Sequence, residues 1–172
     1  QAVINKFGDD IHPGDTFVVN DVYQGGTHFN DTRIVRPIFY KDIHLGFAQA
    51  NGHWADVGGA VPGSFNVNAL DHMAEGLRIT PVRVFSKGVY LSDVAELIAN
   101  NTRAPDDIIG DLQAQAEACN LAEKEVCRLA DKYGVDVIQT SFREVQDYVE
   151  TLTRQRIEQL PDGVWETEDY ID

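Results

Sequence analysis

The sequence predicts an α+β fold, in which N-terminal strands and hairpins with glycine-rich loops precede a long helical hairpin and a terminal strand. Residues 1–104 alternate short β-prone runs with glycine-rich segments, a pattern typical of strands joined by loops. In residues 105–160 apolar side chains recur every three or four positions, which is the period of a helix with one apolar face. Residues 161–172 include VWETEDYI, which alternates like a strand. We expect these regions to be parts of one larger domain.

Two hairpins are expected in residues 1–104. TRIVRPIFY and IHLGFAQA flank a turn at residues 41–42, and Pro37 favours a bulge or an edge position for the first of these strands. VRVF and VYL flank a second turn at residues 86–88. A shorter β-prone run covers residues 16–19, whereas NGHWADVGGAVPGS is too rich in glycine for either regular structure.

The helical part begins with a short helix in SDVAELIANN and continues with two long helices. Pro105 suits the first turn of the first long helix, and Gly134 is typical of a residue that ends one. The apolar face of the first helix comprises Ile108, Leu112, Ala116, Cys119, Ala122, Val126 and Leu129. That of the second comprises Val135, Ile138, Phe142, Val145, Val149 and Leu152. Because such a hairpin needs a partner for its apolar face, we expect packing against the chain's own sheet in preference to a partner helix.

The charge of the chain argues against two classes of partner. Its net charge is −14, and residues 105–172 carry 17 acidic and 6 basic side chains, which repel nucleic acid and anionic lipid. No apolar run approaches the ~20 residues of a membrane span, and the N-terminus lacks the apolar core of a signal peptide. Cys119 and Cys127 are eight positions apart in a helical stretch, beyond disulfide reach. We therefore expect reduced thiols and a cytoplasmic protein.

Two H-x-x-D units adjoin glycines on either side of the first hairpin. His28 and Asp31 lie in GGTHFND, and His53 and Asp56 lie in NGHWADVGG. If the two strands pair, the chain enters and leaves the hairpin at the same end, which brings these side chains close together. Imidazoles and a carboxylate suit Zn²⁺, Mn²⁺ or Fe²⁺ and leave positions for water or substrate. The spacing favours a metal site, but turn-capping aspartates beside solvated histidines would give the same pattern.

Other chemistries have less support in the sequence. It contains no phosphate-binding G-x-x-x-x-G-K-[ST] motif, no G-x-G-x-x-G after a strand and no G-x-S-x-G nucleophile elbow. Ser64 follows Pro-Gly and is interpreted as a turn residue, and His12, His44 and His72 lack a patterned carboxylate and glycine context. We therefore expect that this chain does not bind ATP by itself.

Four motifs, in order along the chain, resemble one known family. They are NDVYQGGTHFND, GHWADVGGAVPGS, EGLRITPVRVF and ELIANNTRAPDDIIGDLQAQ, and the resemblance extends over essentially all 172 residues. The chain resembles the hydantoinase B/oxoprolinase family, which includes N-methylhydantoinase B subunits, 5-oxoprolinase, caprolactamase subunits and acetone and acetophenone carboxylase subunits. Complete members are several times longer, which agrees with the absence of an initiating Met and predicts a fragment of a longer member.

The resemblance implies an ATP-dependent, oligomeric complex of two kinds of component. A hydantoinase-A-type ATPase subunit phosphorylates the substrate's amide or enol oxygen, and the hydantoinase-B part completes ring opening or, in carboxylases, carbon–carbon bond formation. In related carboxylase subunits a metal is held by the histidine and aspartate of GGTH-x-x-D and by a later histidine. These positions are His28, Asp31 and His53 here. Many members have a further histidine where this chain has Trp54, which makes Asp56 the alternative to His53.

We therefore expect a subunit that takes part in ATP-dependent hydrolysis of a cyclic amide and is inactive alone. It would hold zinc or manganese through His28, Asp31 and His53, with Asp56 as a catalytic residue. Two alternatives remain open. One is a subunit of an ATP-dependent acetone or acetophenone carboxylase, and the other is a non-catalytic assembly module that docks the ATPase partner through its helices.

Overall fold

The computed structural model of the protein describes residues 1–170, and the chain divides into two compact units, Gln1–Leu129 and Ala130–Asp172. The elements are α1 (Ala2–Phe7), β1 (Thr16–Val19), β2 (Asp31–Tyr40), β3 (Ile43–His53), α2 (His72–Glu75), β4 (Val82–Ser86), β5 (Val89–Tyr90), α3 (Ser92–Ala99), α4 (Pro105–Tyr133) and α5 (Val135–Ile157). Short 3-10 helices cover Val22–Gln24 and Pro62–Ser64. The expected α+β fold is confirmed.

A five-stranded antiparallel sheet, in the order β3-β2-β1-β4-β5, forms the centre of the first unit. All four residues of β1 are buried, as expected for its middle position. Val18 of β1 pairs with Ile34 on one side and with Val82 on the other. Both predicted hairpins, β2–β3 and β4–β5, are confirmed.

The β2–β3 hairpin is the longest paired part of the sheet and decides where the candidate site lies. Tyr40 pairs with Ile43 beside the turn, and Asp31 pairs with His53 at the open end. β3 thus continues to His53, although the sequence predicts a loop from residue 51 onward. Pro37 lies in β2 next to the register irregularity of this hairpin, which agrees with the expected bulge.

The first part of α4 packs its predicted apolar face against the sheet. Ile108 and Leu112 are fully buried, and the thiol of Cys119 contacts the carbonyl oxygen of Ile34 in β2. Gln115 donates hydrogen bonds from Nε2 to the carbonyl oxygens of Thr32 and Ala50, one in each strand of the β2–β3 hairpin. α4 therefore fixes the hairpin that carries the candidate site. The expected start at Pro105 and end before Gly134 are confirmed.

The apolar face of α5, described on its own, is exposed over most of its length. Phe142, Val145, Val149 and Leu152 are all exposed, whereas Ile138 is buried. α5 belongs to the second unit and the sheet to the first, so packing of this face against the chain's own sheet stays a prediction. Helical periodicity reports that one face is apolar but does not report what covers that face.

The predicted terminal strand is wrong as far as the structure describes it. Residues 161–170 form neither helix nor strand and are exposed, and residues 171 and 172 of the same prediction lie outside the described residues. A strand needs a neighbouring strand for its backbone N–H and carbonyl groups, and an alternating sequence does not by itself supply that neighbour. Among the described helices, none combines the length and the apolar character needed to cross a bilayer. Cys119 and Cys127 are not joined in a disulfide, as predicted.

Candidate metal centre

His28, Asp31 and His53 lie together at the open end of the β2–β3 hairpin. Asp31 begins β2 and His53 ends β3, so the pairing of the two strands places them opposite each other, and His28 lies in the turn before β2. One carboxylate oxygen of Asp31 lies 3.1 Å from His53 Nδ1, and the other lies 3.2 Å from His28 Nε2. The centroids of the two imidazole rings are 4.9 Å apart. The Asp31 carboxylate therefore bridges the two imidazoles.

The glycine-led turn explains how His28 reaches this position. A Cβ on Gly26 would lie only 3.0 Å from the carbonyl oxygen of Asp21 and 3.1 Å from that of Asn20, so the turn passes where a side chain does not fit. The backbone N–H of Asp31 donates to the carbonyl oxygen of His28 at 3.2 Å, which closes the turn at the start of β2. The turn thus points His28 back toward the carboxylate.

The charge state of Asp31 suits a ligand for a cation. The hydroxyl of Thr27 donates to Asp31 Oδ2 at 2.8 Å, and this bond lowers the pKa of Asp31. Burial raises this pKa, but the hydrogen bond with His53 and the electrostatic interactions with His28 and His53 lower it further, so that the pKa of Asp31 lies below its ordinary value. Thr27 therefore favours the ionised carboxylate and restricts its orientation.

The residues present fit a divalent metal. Each of the three side chains offers one ligand atom, and these atoms lie within 4.8 Å of one another. At the ~2.0–2.2 Å bond lengths typical of zinc, ligand atoms around one ion lie about 3–4 Å apart, so small side-chain rotations would be enough. The side chains of His28, Asp31 and His53 are 45%, 25% and 64% exposed, so water and a small substrate can reach the group.

Comparisons with known proteins identify the family of the chain. The family model described as hydantoinase B/oxoprolinase matches residues 1–172, the whole of the chain. The chain belongs to the hydantoinase B/oxoprolinase family.

This member of the family is similar to subunits of larger enzymes. It is 34% identical to the B subunit of a putative D-/L-hydantoinase from Pseudomonas sp. (strain NS671), covering 100% of this chain and 29% of the relative. The crystal structure of the ATP-dependent caprolactamase from Pseudomonas jessenii matches with a TM-score of 0.86 and 37% identity, over 94% of this chain and 28% of that one. The acetophenone carboxylase delta subunit of Aromatoleum aromaticum is 28% identical, covering 99% of this chain and 25% of the relative. The chain spans less than a third of each.

Trp54, where the family pattern often has a second histidine, does not face the candidate site. Its side chain is buried, and its indole N–H donates to Oε1 of Gln115 at 2.8 Å. His53, one residue earlier, is exposed and contacts Asp31. Adjacent side chains on an extended chain point to opposite sides, so position 53 rather than position 54 faces the ligand group in this member.

Asp56 is not part of this ligand group, because its carboxylate is occupied elsewhere. One oxygen accepts hydrogen bonds from the backbone N–H groups of Gly58 and Arg103. The other accepts from the backbone N–H of Gly63 and from the Arg103 guanidinium at 3.1 Å. Asp56 thus holds the glycine-rich loop in place. Its catalytic role stays a prediction.

The Asp56 carboxylate should make the free energy of unfolding depend on pH in the acid range. Burial raises its pKa, but the hydrogen bonds from Gly58, Arg103 and Gly63 outweigh burial and leave the pKa below the ordinary value of 3.8. A carboxyl whose pKa is lowered by folding stabilises the folded state above its ordinary pKa, and this contribution is lost as the pH falls through the folded-state pKa. We expect the free energy of unfolding, measured with urea from pH 7 to pH 3, to fall below about pH 4 and to fall less steeply in Asp56→Asn. Equal slopes for both proteins would contradict this origin.

Two buried asparagines that were not predicted as site residues hold the site's loops together. Asn30 Nδ2 donates to the carbonyl oxygens of Trp54, at 2.9 Å, and Gly63. Asn20 Nδ2 donates to the carbonyl oxygens of Phe29 and Leu77, and its Oδ1 accepts from the N–H of Ile79. A polar residue directly after the buried strand β1 was the one local indication for Asn20, whereas its partner Leu77 lies 57 positions away.

Proposed function

We propose that this chain is the metal-holding part of a subunit that completes the ATP-dependent hydrolysis of a cyclic amide. The observation that carries the proposal is the convergence of His28, Asp31 and His53 at the open end of one hairpin, with ligand atoms within 4.8 Å of one another. The hydantoinase and caprolactamase names of similar proteins support the substrate class. Zinc or manganese is the proposed metal, because two imidazoles and one carboxylate suit both ions.

The residues of such a site have different roles. Asp31 orients both imidazoles, Thr27 favours the ionised form of Asp31, and the half-buried His28 and exposed His53 leave room for substrate and water. A bound divalent metal would supply polarisation of a carbonyl and a lowered pKa of bound water. We further propose that a hydantoinase-A-type ATPase subunit consumes the ATP and activates the amide oxygen, since the sequence contains no phosphate-binding loop motif.

Metal content and metal dependence test this function. We expect near-stoichiometric zinc or manganese in the purified protein, measured by inductively coupled plasma mass spectrometry. After removal of the metal and transfer to Mg²⁺–ATP buffer with the ATPase partner, caprolactam hydrolysis should be lost and should return with Zn²⁺ or Mn²⁺ but not with extra Mg²⁺. Full hydrolysis by the metal-free protein would refute the proposal.

A ketone carboxylase subunit is the second candidate. The observation that favours it is the 28% identity with an acetophenone carboxylase delta subunit over 99% of this chain. The same purified complex distinguishes the two activities when it is given either a lactam or a ketone with bicarbonate. ATP-dependent consumption of the ketone, without lactam hydrolysis, would favour the carboxylase.

A non-catalytic assembly module is the alternative of a different class. The exposed apolar side chains of α5, including Phe142, Val145 and Val149, are what favours it. A folded protein that takes up neither zinc nor manganese but binds the ATPase partner tightly would support this alternative and exclude the metal-dependent functions.

A further inference from the structure

A cavity of about 200 Å³ opens directly beside His28. Its walls come from three segments: the turn that carries His28 and Phe29, the loop that carries Phe65 and Val67, and the end of α2 at Glu75. We call it the ring pocket. Typical ligand clefts measure ~300–1,000 Å³, so the ring pocket suits a single small ring rather than a polymer.

The walls of the ring pocket are fixed by the fold. Ser64, on the wall, has a φ of +57°, which is rare for a residue other than glycine. Its hydroxyl accepts from the N–H of Val57 and donates to the carbonyl oxygen of Gly58, and these two bonds hold the strained conformation. Asn30 Nδ2 donates to the carbonyl oxygens of Trp54 and Gly63, which connects the loop to the turn that carries His28. These bonds fix the part of the wall formed by Asn30 and Ser64.

The Glu75 carboxylate is the charged acceptor of the pocket that remains available. Within residues 1–170 it makes no hydrogen bond or ion pair, whereas the other carboxylates of this region, Asp31 and Asp56, are both occupied. The hydroxyl of Ser64 is also used, as donor and as acceptor. Glu75 is exposed to solvent, and a carboxylate on a pocket wall can accept a hydrogen bond from an N–H or O–H group of a ligand.

Two apolar side chains form another part of the pocket wall. Phe65 and Val67 are 83% and 81% exposed, so neither contributes to the core, and both line the pocket. Contact with a hydrocarbon ring would remove this apolar surface from water, which is favourable. The pocket thus offers one anionic hydrogen-bond acceptor, an apolar wall and a side that faces His28.

A lactam has this combination of groups. Its ring holds the amide in the cis form, so that N–H and C=O project from the same side, opposite the methylene groups. We propose that the ring pocket binds the lactam ring of the substrate, with Glu75 accepting the ring N–H and Phe65 and Val67 covering the methylenes. The carbonyl then faces His28. This assignment rests on the proposed function and adds Glu75 as a substrate-recognition residue.

Binding of two lactams tests the assignment without relying on turnover. Isothermal titration of zinc-loaded protein compares caprolactam with N-methylcaprolactam, which lacks the N–H. We expect the wild type to prefer caprolactam by roughly tenfold or more, the value of one hydrogen bond to a charged group. Glu75→Ala should remove this preference, and Glu96→Ala, an exposed glutamate on α3 outside the pocket, should retain it.

The ratio of the two affinities decides the outcome. A ratio that is unchanged in Glu75→Ala, or a wild type that binds the two rings equally or binds neither, would overturn the role of Glu75. Zinc content measured on the same samples is an independent readout. Bound zinc without discrimination between the lactams would leave the proposed metal function standing and refute only the ring pocket, whereas a protein that takes up neither zinc nor manganese would refute the metal function itself.

Discussion

The Asp31→Asn variant is expected to lose metal binding while remaining folded. The Asp31 carboxylate contacts both imidazoles, at 3.1 Å from His53 and 3.2 Å from His28. The amide is nearly the same size as the carboxylate but carries no charge, so the loss is electrostatic rather than steric. Removing a hydrogen-bond partner of a ligand typically costs ~10–100-fold in metal affinity, so loss of the ligand itself should exceed about 100-fold. A competition titration with a zinc-binding dye measures the change.

Two further variants make the measurement specific. Asp42→Asn carries the same substitution at the turn end of the β2–β3 hairpin, where Asp42 is exposed, and it should bind zinc like the wild type. Thr27→Val removes the hydroxyl bound to Asp31 but no ligand atom, and it should lower zinc affinity by roughly tenfold. If Asp31→Asn bound zinc as tightly as Asp42→Asn, Asp31 would not be a ligand.

The Asn20→Ala variant is expected to be the most destabilised of the proposed variants. Asn20 is completely buried, and its amide serves two carbonyl oxygens and one N–H, those of Phe29, Leu77 and Ile79. Each buried group left without a partner costs about 1–3 kcal/mol, so the free energy of unfolding should fall by roughly 3 kcal/mol or more. Urea denaturation monitored by circular dichroism gives the value.

A site-specific readout separates this effect from general destabilisation. Phe29 directly follows His28, so loss of its anchor should also lower zinc affinity, by roughly tenfold, under conditions in which the variant is still folded. Asn68→Ala, at an exposed position in the loop after Ser64, should change the free energy of unfolding by no more than about 0.5 kcal/mol. Equal stabilities of the two variants would show that the Asn20 network contributes little.

Much of the candidate site could be predicted from the sequence because it depends on local pattern. Strands flanking a short turn pair in antiparallel register, and this alone brings the segments before and after the hairpin to one end. The structure places Asp31 opposite His53 in this way. The periodic apolar face of α4 likewise predicted burial of Ile108 and Leu112.

Asp56 and Glu75 show where such prediction stops. Asp56 has the same H-x-x-D spacing as Asp31, yet Arg103, 47 positions later, occupies its carboxylate. Glu75 begins the motif EGLRITPVRVF, but its spacing indicates no contact with His28, and only the folding of three separate segments places it on the same cavity as His28. The spacing of residues along the chain indicates neither the contact of Asp56 with Arg103 nor the position of Glu75 near His28, because both depend on contacts between distant parts of the chain.

By itself, the sequence determined the α+β class, both hairpins, the family and the three candidate metal ligands. Periodicity and turn residues indicate these features within a few positions of the chain, and strand pairing then brings the candidate ligands together. The tertiary structure alone decided that Trp54 faces the core while His53 faces the site, that Asp56 supports a loop, and that α5 exposes its apolar face. Periodicity gives the direction of a side chain relative to its own segment. What that side chain meets is set by the packing of segments far apart in the chain.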